Sequence, residues 1–406
     1  MKTPAYILAS VLAAMLLVTT AGAASLDRLN VMDFGAKGDG KADDTSAVLK
    51  AIAEGAKKKL PVCFPHGDYR LTKPITITEQ SLMGAEPGAW PSDSGPMPQI
   101  HVNHRLGPAI TMKDASTVHG LGFTYDNKTA DKYPPTLQLA GVGICISNVR
   151  IAYCTDGIIA DGKSNTGRLN IENVFMVSPR NLGLYVTKAY DIPTIRNVEV
   201  WNNMNYPKVT AFRFGQVDGM RASHLLAFGM DLGFNLVDDT TGGTWGVFTD
   251  CGTDACVVGW KVEGEKGHTV GITGGYFWDH FQSFVLDNPN AAIRITGAEI
   301  MSNGAPVVES IRCRTLILNG CRIARAFENA KIPYFDFKAI TSLTVGNCVV
   351  TPFGPGFVIG PGVKQAAIQG NVFEPSKFAR ILKDERSRDA DIIFANNSGM
   401  TPLPAE

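Results

Sequence analysis

The chain has 406 residues, and its 38 basic residues balance its 38 acidic ones. Partners that demand a strongly basic surface are therefore excluded, and we expect neither nucleic acid nor an anionic membrane as a partner. Eight cysteines lack the paired C-x-x-C spacing of a zinc site. Only Cys251 and Cys256 have the spacing of a small disulfide loop, and a bridge and two buried free thiols both remain open.

The N-terminus predicts export. Lys2 precedes an apolar run from Tyr6 to Val18, and small residues follow that run. This order is typical of a secretory signal peptide, so residues 1–24 are assigned to one, with cleavage near Ala23 or Ala24. The apolar run is too short to span a membrane comfortably, and we expect no membrane insertion. The mature chain is predicted to be periplasmic or secreted.

The glycine-rich stretch "FGAKGDGKADDTSAVLKAI" raises the alternative of a nucleotide site. Gly35, Gly40 and Lys41 satisfy the phosphate loop G-x-x-x-x-G-K-[ST] except at its last position, which is Ala42. That position needs a hydroxyl to hold magnesium, and alanine has none. An exported chain also meets little nucleotide. The stretch is therefore interpreted as structural.

The same stretch has the features of a capping helix. Asp43, Asp44 and Thr45 are residues that begin helices, and their carboxylates are favourable at a helix N-terminus. An apolar stripe follows, formed by Val48, Leu49 and Ile52. A calcium site on Asp39, Asp43 and Asp44 is the alternative, although the EF-hand spacing is absent. This interpretation requires no cofactor, and a bound calcium ion stays an alternative.

A phrase of the form apolar-x-[Asn/Gly]-x-x-apolar recurs from about residue 117 to the end. After the first copy its spacing is 23–27 residues, which is the signature of a solenoid. No copy contains a twelve-residue amphipathic stretch, so a helical solenoid is disfavoured. The third residues of the copies are Gly120, Asn148, Asn173, Asn197, His224, Asp250, Gly274, Gly297, Gly320, Asn347, Gly370 and Asn396.

Each copy predicts short β-strands separated by a sharp bend. Asparagine and glycine tolerate the left-handed backbone of such a bend. Stacked coils align equivalent side chains, so Asn148, Asn173 and Asn197 are expected to form a hydrogen-bonded ladder. Cys321 and Cys348 are expected to stack in the core. The fold class is therefore all-β, a right-handed parallel β-helix of about twelve coils with an N-terminal capping helix.

The opening "VMDFGAKGDGKADDTSAVLKAIAEGAKKKLPVCFPHGDYRLTKPITI" with the later "SLMG" resembles the N-terminal signature of the pectate-lyase-like superfamily, which includes rhamnogalacturonase-like, polygalacturonase-like and epimerase-like chains. The resemblance implies a single-stranded right-handed parallel β-helix over residues 25–400. Within it, residues 25–85 form the cap and first coil, and residues 401–406 are a tail. Because the superfamily includes lyases, hydrolases, epimerases and chains without known activity, the signature does not specify a reaction.

The resemblance also implies a substrate groove along one parallel sheet, at strands such as "CTDGI", which contains Asp156. Aligning the equivalent strands places Asp231 and Asp254 on neighbouring coils, about 5 Å apart by strand spacing. Two such carboxylates suit general acid and base work on a glycosidic bond, with His280 and Asp279 assisting. The structural alternative is that each aspartate satisfies backbone donors at a turn. No metal is assigned to this site.

Aromatic residues coincide with these acids in the middle coils. Exposed aromatic faces stack on sugar rings, and Trp201, Trp260 and Trp278 are the candidate platforms. Asp156, Arg180 and Lys208 complete the candidate substrate-binding set, since a lyase needs a cation or calcium to neutralise a uronate. Core packing is the alternative for each tryptophan.

Two functions follow from these residues. The first is an exported protein that acts on a polysaccharide or oligosaccharide, containing uronate, by glycosidic hydrolysis or β-elimination. The alternative is a non-catalytic β-helix that binds glycan or serves as a surface or assembly protein. A monomer and a trimer along the axis are both compatible with the fold.

Overall fold

The computed structural model describes residues 27–84, 97–125, 132–203, 206–325, 327, 331–351, 356–375 and 381–399. The assigned signal peptide at 1–24 and the tail at 401–406 lie outside these residues. In the described part of the chain, no helix has the length and apolar character needed to cross a membrane.

The described chain is a right-handed parallel β-helix of about 13 turns, one more than predicted. The first strands are β1 Leu29–Asn30, β2 Asp39–Asp43, β3 Val62–Phe64, β4 Asp68–Leu71, β5 Ile75–Ile77, β6 Ser81–Gly84, β7 Gln99–Val102, β8 Ile110–Met112, β9 Thr117–His119, β10 Gly122–Tyr125 and β11 Leu137–Leu139. The middle strands are β12 Cys145–Ala152, β13 Asp156–Asp161, β14 Asn170–Val177, β15 Leu182–Thr187, β16 Thr194–Trp201, β17 Thr210–Phe214, β18 Val217–Phe228, β19 Leu232–Leu236, β20 Thr244–Thr249, β21 Gly252–Asp254, β22 Val258–Glu263, β23 Thr269–Thr273 and β24 Tyr276–Asp279. The last strands are β25 Gln282–Thr296, β26 Glu299–Ser302, β27 Val308–Asn319, β28 Arg322–Ala324, β29 Phe335–Gly346, β30 Val349–Val350, β31 Phe357–Gln369, β32 Val372–Phe373, β33 Ile381–Asp384 and β34 Asp391–Ala395.

These strands pair in parallel in three ladders, which we call sheets A, B and C. Sheet A contains β5, β8, β11, β13, β15, β17, β19, β22, the first parts of β25, β27, β29 and β31, and β33. Sheet B contains β1, β3, β6, β9, the first parts of β12, β14, β16 and β18, then β20, β23, the second parts of β25, β27, β29 and β31, and β34. Sheet C contains β2, β4, β7, β10, the second parts of β12, β14, β16 and β18, then β21, β24, β26, β28, β30 and β32.

The repeated phrase marks the turn from sheet B to sheet C. All twelve of its third residues have positive φ, which explains why asparagine and glycine dominate there. The asparagine ladder is confirmed, because the Asn173 amide donates to Asn148 Oδ1 and Asn197 Nδ2 donates to Asn173 Oδ1 at 3.0 Å. The bend and the ladder therefore fix the register between coils.

The interior is filled by stacked apolar side chains. In sheet A the rings of Phe212, Phe234, Trp260 and Phe284 occupy successive coils. The centres of the Phe234 and Trp260 rings lie 4.3 Å apart, and the two ring planes are nearly parallel, with an angle of 6° between them. Stacks of this kind bury large aromatic area and stabilise the coils. All eight cysteines are free thiols, including Cys251 and Cys256, so the disulfide alternative is not what the structure shows.

The N-terminal end is closed by helix α1, Thr45–Lys58, after a 3₁₀ helix at Val31–Phe34. Val48, Ala51 and Ile52 are buried, whereas Leu49, which was predicted in the apolar stripe, is exposed. The capping helix is thus confirmed, with a narrower stripe that omits Leu49.

The glycine-rich stretch before α1 is held together by carboxylates. Asp44 accepts the backbone N–H of Lys37 at 2.6 Å, and Asp39 accepts that of Lys41 at 2.9 Å. Asp43 accepts both the N–H and the hydroxyl of Thr45. Each carboxylate considered for calcium therefore already bonds a donor of its own segment. Across the described ranges, no three His, Cys, Asp or Glu side chains cluster in a metal-binding arrangement.

Candidate functional site

The structure separates the two aspartates that were predicted to be neighbours. Asp231 immediately precedes β19, whose Leu232 pairs with Val258 of sheet A. Asp254 instead ends β21 in sheet C, where it pairs with Trp278. The alignment that placed Asp231 and Asp254 in register was wrong, because each flanks the turn from sheet C to sheet A on a different side.

Two of the predicted acids are bonded individually. Asp231 Oδ2 accepts the backbone N–H of Val209 at 3.1 Å, as a carboxylate at a turn does. Asp156 Oδ1 accepts Asn181 Nδ2 at 2.7 Å. Burial raises the pKa of the Asp156 carboxyl, against the effect of the Asn181 hydrogen bond. Both acids hold the sheet A edge in place.

Asp279 lies inside the coil rather than in a groove. Its side chain is 2% exposed, and its Oδ2 accepts the hydroxyl of Thr253, itself an inward-facing residue, at 3.1 Å. Burial raises the pKa of Asp279 well above its ordinary value. His280 follows in the turn and is exposed. A polysaccharide on the outer surface reaches His280 but not Asp279, so the predicted assisting role of Asp279 is not supported.

The three candidate tryptophans have different environments. Trp260 is 1% exposed in the core stack, so it is not a sugar platform. Trp278 is 40% exposed, and its ring lies 5.2 Å from that of Tyr276. Trp201 is half-buried between the rings of neighbouring coils, and its indole N–H donates to Glu199.

The outer face of sheet C thus carries an aromatic patch, which we define as Trp201, Asp254, Tyr276 and Trp278. Trp201, Asp254 and Trp278 occupy one column of the sheet, with Phe228 between the first two. Burial raises the pKa of Tyr276, and the nearby Asp254 carboxylate raises it further. The patch combines aromatic faces with a partly exposed acceptor, which is the chemistry of sugar recognition.

Arg180 and Lys208 lie in turns between sheets C and A, beside the aromatic patch. The Arg180 guanidinium is 5.9 Å from the centre of the Tyr206 ring, and Lys208 is exposed. Both cations therefore lie in the connections that Trp201 borders, and their role in substrate binding stays a prediction.

A second surface was not predicted as a site. On the outer face of sheet A, Tyr185, Arg213, Asn235 and Lys261 occupy one column in four successive coils. We call these residues, with Asp239 and Glu263, the polar strip. Neither Arg213 nor Lys261 belongs to the substrate-binding set that was predicted from the sequence. The signal that predicts their convergence is their shared strand position, which appears once the sheet register is known.

Tyr185 and Asp239 form the centre of the polar strip. The Tyr185 hydroxyl donates to Asp239, whose other oxygen accepts the Thr187 hydroxyl at 2.8 Å. Burial raises the pKa of Tyr185, and the bond to Asp239 raises it further. The Arg213 guanidinium lies 5.7 Å from the Tyr185 ring. Tyr185 is therefore a protonated hydroxyl that is held against a carboxylate and a cation.

Glu263 anchors the other end of the polar strip. It accepts Asn235 Nδ2 at 2.9 Å and lies 2.6 Å from Lys261 Nζ. Burial raises the pKa of Glu263, but Lys261 and Asn235 lower it by more. The pKa of this carboxyl group therefore lies below its ordinary value. Lys261 is positioned by this pair and still 41% exposed.

Comparison with known proteins supports the fold. Residues 28–95 match the family described as rhamnogalacturonase A/epimerase, pectate lyase-like. A probable glucan endo-1,3-beta-glucosidase of Arthroderma benhamiae is 45% identical over 56 residues, which are 11% of this chain and 6% of that protein. The chain therefore spans a small fraction of that relative.

Two solved structures are similar over nearly the whole chain. Gene product 12 of bacteriophage phi29, in its pre-mature form, has a TM-score of 0.68 at 14% identity, covering 97% of this chain and 59% of its own. The A-module of the Azotobacter vinelandii mannuronan C-5 epimerase AlgE4 has a TM-score of 0.52 at 17% identity, covering 92% and 100%. At these identities the likeness concerns the fold. Together with the match at residues 28–95, these structures show that the chain has the right-handed parallel β-helix fold of pectate-lyase-like proteins.

Proposed function

We propose that the protein is an exported enzyme that cleaves a uronate-containing polysaccharide by β-elimination at the polar strip. The observation that carries this proposal is the Tyr185–Asp239 pair beside Arg213, in register with Lys261. A proton donor, an acceptor and two cations thereby share one outer sheet face.

The two cations suit the first requirement of elimination. A uronate carboxylate must be neutralised before the proton on the adjacent C5 becomes acidic enough to remove. Arg213 and Lys261 are separated by one intervening coil, so their backbones are about 10 Å apart. They therefore reach carboxylates on different sugar units of a chain lying across the strands.

The Tyr185–Asp239 pair supplies both proton transfers. Asp239 takes the C5 proton, the C4–O4 bond breaks as the C4=C5 double bond forms, and Tyr185 gives its proton to the departing O4. The proton on Asp239 then passes to the Tyr185 oxygen through their hydrogen bond, which restores both groups. The raised pKa of Tyr185 keeps its hydroxyl protonated before the reaction, as an acid must be.

The comparisons support a carbohydrate substrate in general terms. The matched family is named for rhamnogalacturonase and epimerase, and the AlgE4 module belongs to a mannuronan C-5 epimerase. In the proposed enzyme, Trp278 and Tyr276 of the aromatic patch stack on sugar units beyond the bond that is cleaved. Calcium remains a candidate aid to carboxylate neutralisation.

The experiment is a screen of the mature protein against a polysaccharide panel with two readouts. Ultraviolet absorbance reports unsaturated products, and a reducing-end assay reports every cleavage. We expect both signals on a polyuronate, and Tyr185→Phe should lower them by about 10²- to 10⁴-fold at unchanged Tm. Tyr69→Phe is the matched control, since its hydroxyl donates to the Pro65 carbonyl near the N-terminal cap, far from the strip. Reducing ends without absorbance would replace elimination by hydrolysis.

The same assay decides on the acid and base predicted from the sequence. Asp231→Asn and Asp254→Asn should retain most activity if the polar strip is the site, because neither carboxylate belongs to it. Loss of both signals in both variants, with unchanged Tm, would show that the reaction takes place at the corner between sheets C and A, where Asp231 and Asp254 lie.

A second candidate function is non-catalytic glycan binding. The specific observation in its favour is the exposed Tyr276–Trp278 pair beside Asp254, together with the individual hydrogen bonds of Asp156 and Asp231. Retention of a polysaccharide with neither signal, abolished by Trp278→Ala and unaffected by Tyr185→Phe, would select this function.

A further inference from the structure

A groove runs over the outer face of sheet B, on a different side of the β-helix from the polar strip. Its volume is about 340 Å³, at the lower end of small-molecule sites. We call it the sheet B groove and define it by Trp245, Val247, Thr269, Gly271, Arg294 and Ile317. Its walls are mostly apolar, and nothing in the proposed elimination uses it.

Two arginines belong to the column that crosses the groove floor: Arg294 lines the groove, and Arg221 lies one coil beyond Val247, just outside the lining. Arg221, Val247, Gly271 and Arg294 follow one another in four successive coils. In the chain as described, neither arginine lies within ion-pair distance of an acid or donates a hydrogen bond to another residue. The floor therefore offers positive charge without a protein counter-ion, which favours an anionic ligand.

Gly271 keeps the floor open between these cations. A Cβ at this position would lie 3.2 Å from Arg294 Nη2 and 3.6 Å from Val247 Cγ1. The guanidinium of Arg294 therefore lies across the glycine, and a larger side chain would displace it. The glycine thus leaves room for the Arg294 guanidinium on the groove floor, where an anionic ligand group can reach it.

Trp245 forms one wall of the groove and is 54% exposed. It occupies the neighbouring column, in register with Thr269, whose side chain is also exposed. An exposed indole face beside a hydroxyl and a guanidinium fits a pyranose ring that carries a carboxylate. A neutral apolar partner would leave the arginines uncompensated.

We propose that the sheet B groove binds an acidic polysaccharide lying along the β-helix axis, as an anchoring site separate from catalysis. The coil spacing of about 4.8 Å is close to the length of one pyranose unit, so successive sugar units lie beside successive coils. The backbones of Arg221 and Arg294 are three coils apart, about 14 Å, and the Arg294 guanidinium lies over Gly271, one coil nearer to Arg221. The two arginines therefore bind carboxylates about two to three sugar units apart. Trp245 stacks on a ring between them. The proposal shares the polyuronate ligand class with the proposed function but does not depend on cleavage.

The test measures binding of fluorescently labelled polygalacturonate to the mature protein, in a Tyr185→Phe background so that the polymer is not consumed. The double variant Arg221→Ala/Arg294→Ala should bind at least about tenfold more weakly, and added salt should weaken the parent more than the variant. Trp245→Ala and Gly271→Val should each weaken binding as well. Arg196→Ala is the matched control, because Arg196 lies on the same face in an ion pair with Glu172.

The outcomes separate this proposal from the proposed function. Groove variants should retain cleavage of short oligosaccharides, whereas Tyr185→Phe should retain binding. Unchanged binding in the double arginine variant would overturn the groove. Equal weakening toward a neutral glucan would overturn its acidic specificity. A dimer in light scattering that Trp245→Ala dissociates would show that a second copy occupies the groove instead.

Discussion

Trp260 and Trp278 lie in adjacent coils, yet one belongs to the interior and the other to the surface. Trp260 stacks on Phe234 in the core and is 1% exposed, while Trp278 is 40% exposed on the outer face of sheet C. The same role, that of a sugar platform, was predicted for both from the sequence, because both belong to the middle coils. The difference shows that position along a strand, rather than coil number, decides whether an aromatic residue stabilises the fold or meets a ligand.

The largest effect should come from the interior. Trp260→Ala removes a ring stacked in register with Phe234 and Phe284, and we expect a loss of about 3–5 kcal/mol in the free energy of unfolding. Denaturant unfolding measures it. A loss below about 1 kcal/mol would mean that the neighbouring rings close the cavity. Trp260 in the interior would then stabilise the fold little more than Trp278 on the surface.

Asp279 tests how the interior treats charge. Because burial raises its pKa in the fold above the ordinary value of 3.8, the folded state holds the proton more tightly than the unfolded chain. Its stabilising contribution is complete below about pH 4 and is lost as the pH rises through the folded pKa. Asp279→Asn cannot ionise, so the Tm of this variant should rise relative to that of the parent as the pH increases from 4 to 8. Parallel Tm profiles would contradict a protonated Asp279.

The asparagine ladder should have a smaller effect. Asn173→Ala removes both ladder bonds and places alanine at φ 52°, so we expect a loss of about 1–2 kcal/mol. Asn173→Gly removes the same bonds without the backbone cost and should lose less. Denaturant unfolding of the pair separates the two contributions, and equal losses would assign all of the effect to the amide bonds.

The smallest stability change belongs to the surface. Trp278→Ala should alter the free energy of unfolding by no more than about 0.5 kcal/mol, because Trp278 lies on the outer face and is 40% exposed. Glycan binding, followed by affinity electrophoresis, should nevertheless weaken. Tyr206→Ala at the neighbouring corner serves as an aromatic comparison outside the patch. A Trp278 variant with full binding and reduced stability would assign the ring to packing alone.

Most of the architecture follows from one repeated phrase. The bend residues such as Asn148 and Asn197 were predictable because left-handed backbone selects few residue types, and their spacing gave the coils. The capping helix was predictable from its acidic start and apolar stripe. The turn from sheet C to sheet A was not, since it contains only residues 229–231 in one coil and residues 202–209 in another.

That variable turn explains the misplaced site. When the length of this turn is unknown, the sequence does not show where the next strand begins. Asp254 was therefore aligned with Asp231, although it belongs to sheet C. The Tyr185–Asp239 pair was equally hidden, because its members are 54 residues apart and meet only when a loop folds back over two coils. Single-sequence spacing identifies columns within a sheet but not contacts made by loops.

The bend between sheets B and C also determines where this chain can change. It contains a single left-handed residue in coil after coil, so an insertion there would break the stack at once. The connections on either side of sheet A already differ in length while the register holds. New loops can therefore be grafted at both edges of the polar strip without disturbing the scaffold. Such a chain is suited to changing its ligand through segment exchange, with the coils themselves left constant.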